Sequence, residues 1–161
     1  MTFIKGRVSI TELDQIYEVH KNLYIGAYWP RLNFRKFKEI GITAILNLME
    51  ESHYDPSHLG FSYLHKGFPD DSYPPHKYFD EILEFIDKNL KINGKVLVHC
   101  SMGVSRSGGI VVLWLLKNNH KWNWTDALSY VKKSKFIAPA VEIRESILDY
   151  LEKIDNYRRN S

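Results

Sequence analysis

The sequence predicts a single α/β domain: a central, largely parallel mixed sheet of about five strands flanked by helices. Three observations carry this. Short apolar runs, "ITAILNLM" (42–49) and "KVLVHC" (95–100), read as buried strands. Between and after them lie segments with apolar residues at helical spacing. The chain has 161 residues, enough for one domain with its own core and no staples.

The elements follow in order. "IYEVHKNLYIG" (16–26) alternates about a Lys-Asn turn and reads as an N-terminal hairpin. "PRLNFRKFKEIG" opens on Pro30, closes on Gly41 and sets Leu32, Phe37 and Ile40 on one side, a short helix. Residues 42–49 form a strand, and "FSYLHKGF" (61–68) alternates as another. "PPHKYFDEILEFIDKNL" (74–90) carries Tyr78, Phe79, Ile82, Leu83, Ile86 and Leu90 at helical spacing. After Gly94 comes the strand "KVLVHC". The pattern is helical from Arg106 to about Asn119, then from Trp124 to Lys133, with Thr125 as its cap, then from Val141 to Ile154. "NYRRNS" at the end reads as a solvated, frayed tail.

Composition bounds the function. Hydrophobic residues make up 44% and charged residues 25%, ordinary for a globular protein, and the net charge is only +3. That charge demands neither nucleic acid nor membrane, yet it does not repel an anionic substrate. One cysteine cannot make an internal disulfide. "MTFIKGRVSITELDQ" lacks the apolar stretch of a signal peptide, and "IVVLWLL" (110–116) is too short to span a bilayer. A reducing compartment is expected, the cytoplasm or the nucleus. No oligomeric signal, repeat or metal-ligand spacing is apparent, so neither metal nor other cofactor is expected.

The single cysteine stands in "KVLVHCSMGVSRSGG" (95–109), where a buried strand ends and a helix begins. Ligands of α/β sheets bind beyond the carboxyl ends of strands. The loop Ser101, Met102, Gly103, Val104 and Ser105 can curl its N–H groups around an anion, with the positive end of the Arg106 helix aimed at the same spot. That field favours Cys100 as a thiolate. Arg106 can grip two oxygens of a phosphoryl group with its planar fork. The thiolate would then attack phosphorus, and the amides and Arg106 would stabilise the oxygens in transit. Ser107 could donate to the sulfur as it leaves. His99 precedes the nucleophile on a strand and faces the other way, which suits orientation rather than proton transfer.

The leaving oxygen needs a proton. "GFPDDSYPPHKY" (67–78) follows a strand, is stiffened by Pro69, Pro74 and Pro75, and offers Asp70 and Asp71. Residue type and position alone do not choose between them.

"VHCSMGVSRSGG" resembles the signature of the cysteine-dependent protein tyrosine phosphatase superfamily. The Ser-Arg-Ser ending and the short chain are most similar to small atypical dual-specificity phosphatases. "NLYIGAY", "GITAILNL", "YFDEILEFID" and "DALSYVKKSK" also resemble family segments in family order, together covering most of residues 16–155. The resemblance implies a phosphatase fold, Cys100 as nucleophile, Arg106 as clamp, the amides from Ser101 to Arg106 as cradle and Ser107 as the assisting hydroxyl. Its acid, followed by paired prolines, favours Asp71, while counting back from "YFDEI" fits Asp70. Lys135 falls where some relatives contact a second phosphate; a solvated helix lysine is the plainer reading. The expected substrate is a phosphoprotein, carrying phosphotyrosine and also phosphoserine or phosphothreonine. The alternatives are a phosphoinositide, RNA 5′-phosphate or phosphorylated glycan as substrate, or a catalytically silent phosphate-binding module. The loop interior lacks a lysine, which counts against a lipid.

Overall fold

The computed structural model describes residues 15–160, with side chains described as far as Asp155. The expectation for the first fourteen residues therefore lies outside the described residues. Strands β1 (Tyr17–His20) and β2 (Leu23–Ala27) form the expected antiparallel hairpin, turning at Asn22 with φ 64°. Strands β3 (Ala44–Asn47), β4 (Ser62–His65) and β5 (Val96–Cys100) complete one sheet in the order β1-β2-β5-β3-β4. Every pairing except β1–β2 is parallel. The sheet is thus the largely parallel mixed one that the alternating elements imply, with β5 at its centre.

Strand alternation divides the core in two. Leu23, Ile25, Ala44, Leu46, Val96, Val98 and Cys100 face one side. There they pack against helices α2 (His76–Lys91), α3 (Arg106–Asn118), α4 (Trp124–Lys132) and α5 (Val141–Asn160). Tyr24, Ile45 and Leu97 face the other side, covered by helix α1 (Phe34–Ile40) through Phe37. Helix α3 is apolar all round because it is buried all round, every residue from Ser107 to Leu116 being buried. Among the described residues, no helix is long and apolar enough to cross a membrane.

Four helix ends differ from the sequence reading by more than one residue. Helix α1 starts at Phe34 rather than Pro30, because the Asn33 side chain accepts the Lys36 N–H at 3.1 Å and caps it there. Helix α2 starts at His76. Pro75 disfavours the helical conformation at Pro74 and is itself extended at ψ 135°, so the helix waits for the second proline to pass. Asn123, not Thr125, caps α4: it accepts the Asp126 N–H while the Asp126 carboxylate accepts its own, a reciprocal capping box. Helix α5 runs to Asn160, taking the expected tail into the helix.

Candidate active site

The carboxyl ends of β2, β3 and β5 meet at one place. Ala27 pairs with Cys100, and Leu48 donates its N–H to the His99 carbonyl at 3.0 Å. Cys100 closes β5 on the large-core face and is only 2% exposed. Beyond it the chain loops through residues 101–105 into α3. A cavity of about 360 Å³ lies over this loop, lined by Asp70, Cys100, Ser101, Met102, Val104, Ser105 and Arg106.

The loop's amides are aimed by what holds its carbonyls. Cys100 O accepts from Tyr28 N at 2.8 Å, and Ser101 O from Trp29 N at 3.1 Å. Gly103 O accepts from Lys135 Nζ at 2.8 Å. Val104 O accepts from Ala138 N at 3.1 Å, and Ser105 O from Gly109 N at 2.9 Å. In a trans peptide the N–H points opposite to the preceding carbonyl. With these carbonyls engaged, the N–H groups of Ser101, Met102, Val104, Ser105 and Arg106 point away from those partners. The α3 terminus adds its partial positive charge to theirs. Gly103 enables the turn: its φ is 70°, and a Cβ on it would stand 2.8 Å from the Gly26 carbonyl oxygen.

Ser107, in the first turn of α3, is fully buried, and its Oγ lies 3.2 Å from Cys100 Sγ. Arg106 is half-buried and donates from Nη1 to the Phe68 carbonyl at 3.2 Å. It also borders a second hollow of about 300 Å³ with Met49, Glu50, Glu51, His53 and Ser101.

His99 lies on the opposite face from Cys100, as strand alternation requires, and is completely buried. Tyr54 OH bonds its Nε2, and its Nδ1 lies 3.2 Å from the Cys100 carbonyl. A carbonyl oxygen only accepts, so the contact to Cys100 O is made by a protonated Nδ1, and Nε2 is left to accept from the Tyr54 hydroxyl, which burial keeps protonated. Burial also pulls His99 down to about 4, with the Arg106 charge adding to the effect, so the imidazole is neutral at ordinary pH.

The two candidate acids part company. Asp70 borders the cavity, and its Oδ1 accepts the Ser105 hydroxyl at 2.7 Å. Asp71 adopts a left-handed conformation, φ 57°, and is not among the residues lining the cavity. The loop bearing them is tied to α5 from behind. Ser146 donates to the Pro74 carbonyl at 2.7 Å, and Tyr73 OH donates to Asp149 at 2.7 Å.

Lys135 is not a solvated helix lysine. It follows α4, is half-buried, and also donates to the Phe136 carbonyl at 2.9 Å, with burial lowering its pKa. Its grip on Gly103 O was not foreseen, nor were the backbone contacts from Tyr28, Trp29 and Ala138. Those contacts use main-chain N–H groups, which no residue type announces. A lysine soon after the "VKK" helix end was the only available signal.

Comparison with known proteins agrees with this geometry. The family model described as "Dual specificity phosphatase, catalytic domain" matches residues 23–153. "Protein phosphatase Slingshot" of Drosophila melanogaster is 29% identical over 147 residues, covering 90% of this chain and 14% of the relative. Human "Dual specificity protein phosphatase 9" is 31% identical over 147 residues, covering 89% of this chain and 38% of the relative. The chain thus spans well under half of either relative. Among solved structures, the human "tyrosine phosphatase-like serine/threonine/tyrosine-interacting protein" superposes with a TM-score of 0.76 at 24% identity, covering 88% of this chain and 98% of that one. A mouse "putative dual specificity phosphatase" superposes with a TM-score of 0.79 at 18% identity, covering 96% and 97%. At these identities the likeness is one of fold.

Proposed function

Since the chain belongs to the dual specificity phosphatase catalytic-domain family, we propose that it hydrolyses phosphate monoesters on phosphoproteins, both phosphotyrosine and phosphoserine or phosphothreonine. The observation that supports this most directly is that Cys100, the loop residues that follow it, Arg106 and Asp70 line one cavity. Arg106 and the loop amides hold the three non-bridging oxygens. The Cys100 thiolate attacks phosphorus in line, forming an S–P bond as the P–O bond to the substrate breaks. Asp70, rather than Asp71, passes its proton to the departing oxygen, because Asp70 is the acid on the cavity wall. In the second half, the Asp70 carboxylate takes a proton from water as that water attacks phosphorus. The S–P bond breaks, Ser107 OH donates to the departing sulfur across its 3.2 Å contact, and inorganic phosphate leaves. No step is routed through a metal or other cofactor. The partner is the phosphorylated side chain itself; nucleic acid and membrane have no part in the reading.

The test is phosphate release from matched phosphotyrosine and phosphoserine peptides by the parent, Cys100→Ser, Asp70→Asn and Asp71→Asn. Loss in Cys100→Ser, a larger fall in Asp70→Asn than in Asp71→Asn, and turnover of both peptides support the reading. A parent that binds phosphopeptide without releasing phosphate would instead make it a silent binding module.

A further inference from the structure

The Ser105 side chain has only one way to make both of its contacts. Its Oγ accepts the N–H of Ala140 at 2.9 Å, and a backbone N–H can only donate. The hydroxyl's single hydrogen is thereby left for Asp70, whose Oδ1 lies 2.7 Å away. Ala140 directly precedes α5, and the neighbouring Ala138 is bonded to the phosphate loop through Val104 O. The Ser105 hydroxyl is therefore oriented, held by the Ala140 N–H and pointing its proton at the acid.

We propose that Ser105 is a positioning residue for general acid–base catalysis: its hydroxyl holds Asp70 on the cavity wall and reserves Oδ1 as an acceptor, so that the transferable proton resides on Oδ2. This rests on the reading of Asp70 as the acid. In the first half-reaction Oδ2–H passes its proton to the leaving oxygen, and the P–O electron pair goes to that oxygen. In the second, Oδ2 takes a proton from the attacking water, restoring the starting acid. The Ser105–Oδ1 bond stays in place through both, so Asp70 need not rotate between its two tasks. The backbone N–H of Ser105 belongs to the phosphate cradle; its hydroxyl does this separate work. The sequence marks Ser105 only as a small loop residue, and the carboxylate it holds is thirty-five positions away.

The experiment compares phenyl phosphate, whose leaving oxygen needs a proton, with dinitrophenyl phosphate, whose leaving oxygen does not. The readout is the ratio of kcat values for the two esters in the parent, Ser105→Ala, Ser105→Thr, Asp70→Asn and the double variant Ser105→Ala/Asp70→Asn. The expected result is that Ser105→Ala shifts the ratio against phenyl phosphate by about tenfold, part of the 10²–10⁴ that such catalysis contributes. Ser105→Thr, which keeps a hydroxyl, restores most of the ratio. In the Asp70→Asn background Ser105→Ala shifts it no further. Equal loss on both esters would mean that Ser105 serves only the cradle and would overturn the proposal. So would an undiminished Ser105→Ala shift in the Asp70→Asn background. If Asp70→Asn itself leaves the ratio at the parent value, the acid assignment fails and the proposal falls with it. If Asp70→Asn shifts the ratio and Ser105→Ala does not, the proposal alone falls.

Discussion

Arg106 donates a hydrogen bond from Nη1 to the carbonyl of Phe68 at 3.2 Å, tying the proposed phosphate clamp to the segment after β4 that reaches Asp70 two residues later. The same guanidinium thus has one edge fixed by the protein before any phosphate arrives. Little side-chain freedom remains to be lost on binding. Lysine cannot reproduce this, since its ammonium lacks the planar fork. Arg106→Lys is expected to lower kcat on an aryl phosphate by roughly 10²–10³, the cost of removing one transition-state oxyanion donor. Steady-state kinetics check this, with circular dichroism confirming the fold.

Lys135 acts on the same loop from the other side. Its ammonium holds the Gly103 carbonyl at 2.8 Å and so fixes the orientation of the peptide that carries the Val104 N–H. Lys135→Met frees that peptide to rotate. A charge-assisted hydrogen bond contributes about 1.5–3 kcal/mol, so vanadate binding should weaken by at least about tenfold. Lys135→Arg should recover part of it. Inhibition constants for orthovanadate provide the measurement; unchanged binding in Lys135→Met would show that the loop keeps its shape unaided.

His99 makes the fold acid-sensitive. Its folded pKa, about 4, lies below the 6.5 of an unfolded histidine. Between these values the unfolded chain binds a proton that the folded one refuses, so stability falls as pH drops from about 6.5 toward 4 and is whole above 6.5. The shift corresponds to roughly 3 kcal/mol. Urea midpoints across this window should fall more steeply for the parent than for His99→Gln, which has no proton to take up. Parallel slopes would refute the assignment.

Ser146 is fully buried and donates to the carbonyl of Pro74, which is itself buried. Ser146→Ala strands that carbonyl without a donor, at a cost of about 1–3 kcal/mol. Tyr73→Phe removes a more exposed bond, to Asp149, and should cost less than Ser146→Ala. Equilibrium urea unfolding of the two variants gives the comparison, and a cost for Tyr73→Phe equal to that of Ser146→Ala would contradict the burial argument.

The reach of the sequence follows from how local each feature is. Cys100, Arg106 and Ser107 stand within eight residues on a strand, a loop and a first helical turn, so spacing alone places them together. The faces of β5 are equally local: Val96, Val98 and Cys100 must oppose Leu97 and His99. Asp70 against Asp71 was not legible, because the choice rests on a left-handed turn at Asp71 and a hydroxyl thirty-five residues away. Resemblance to paired-proline relatives leaned toward Asp71, and the cavity wall carries Asp70. The start of α1 was missed because Pro30 looks like a first helical residue, whereas Asn33 supplies an actual acceptor. Lys135 was singled out for a second phosphate, and its bond to Gly103 O was missed for a related reason: the partner is a carbonyl, which every residue has.

The account depends above all on a covalent bond between Cys100 and phosphorus. Rapid acid quench of Ser107→Ala with dinitrophenyl phosphate, followed by mass spectrometry of the Cys100 peptide, tests it most directly. Ser107→Ala should slow departure of the sulfur more than its attack, so the intermediate accumulates. The account predicts a burst of dinitrophenol matched by phosphate on Cys100, and neither in Cys100→Ser. Turnover with no phosphate on Cys100, or phosphate on another residue, would contradict it.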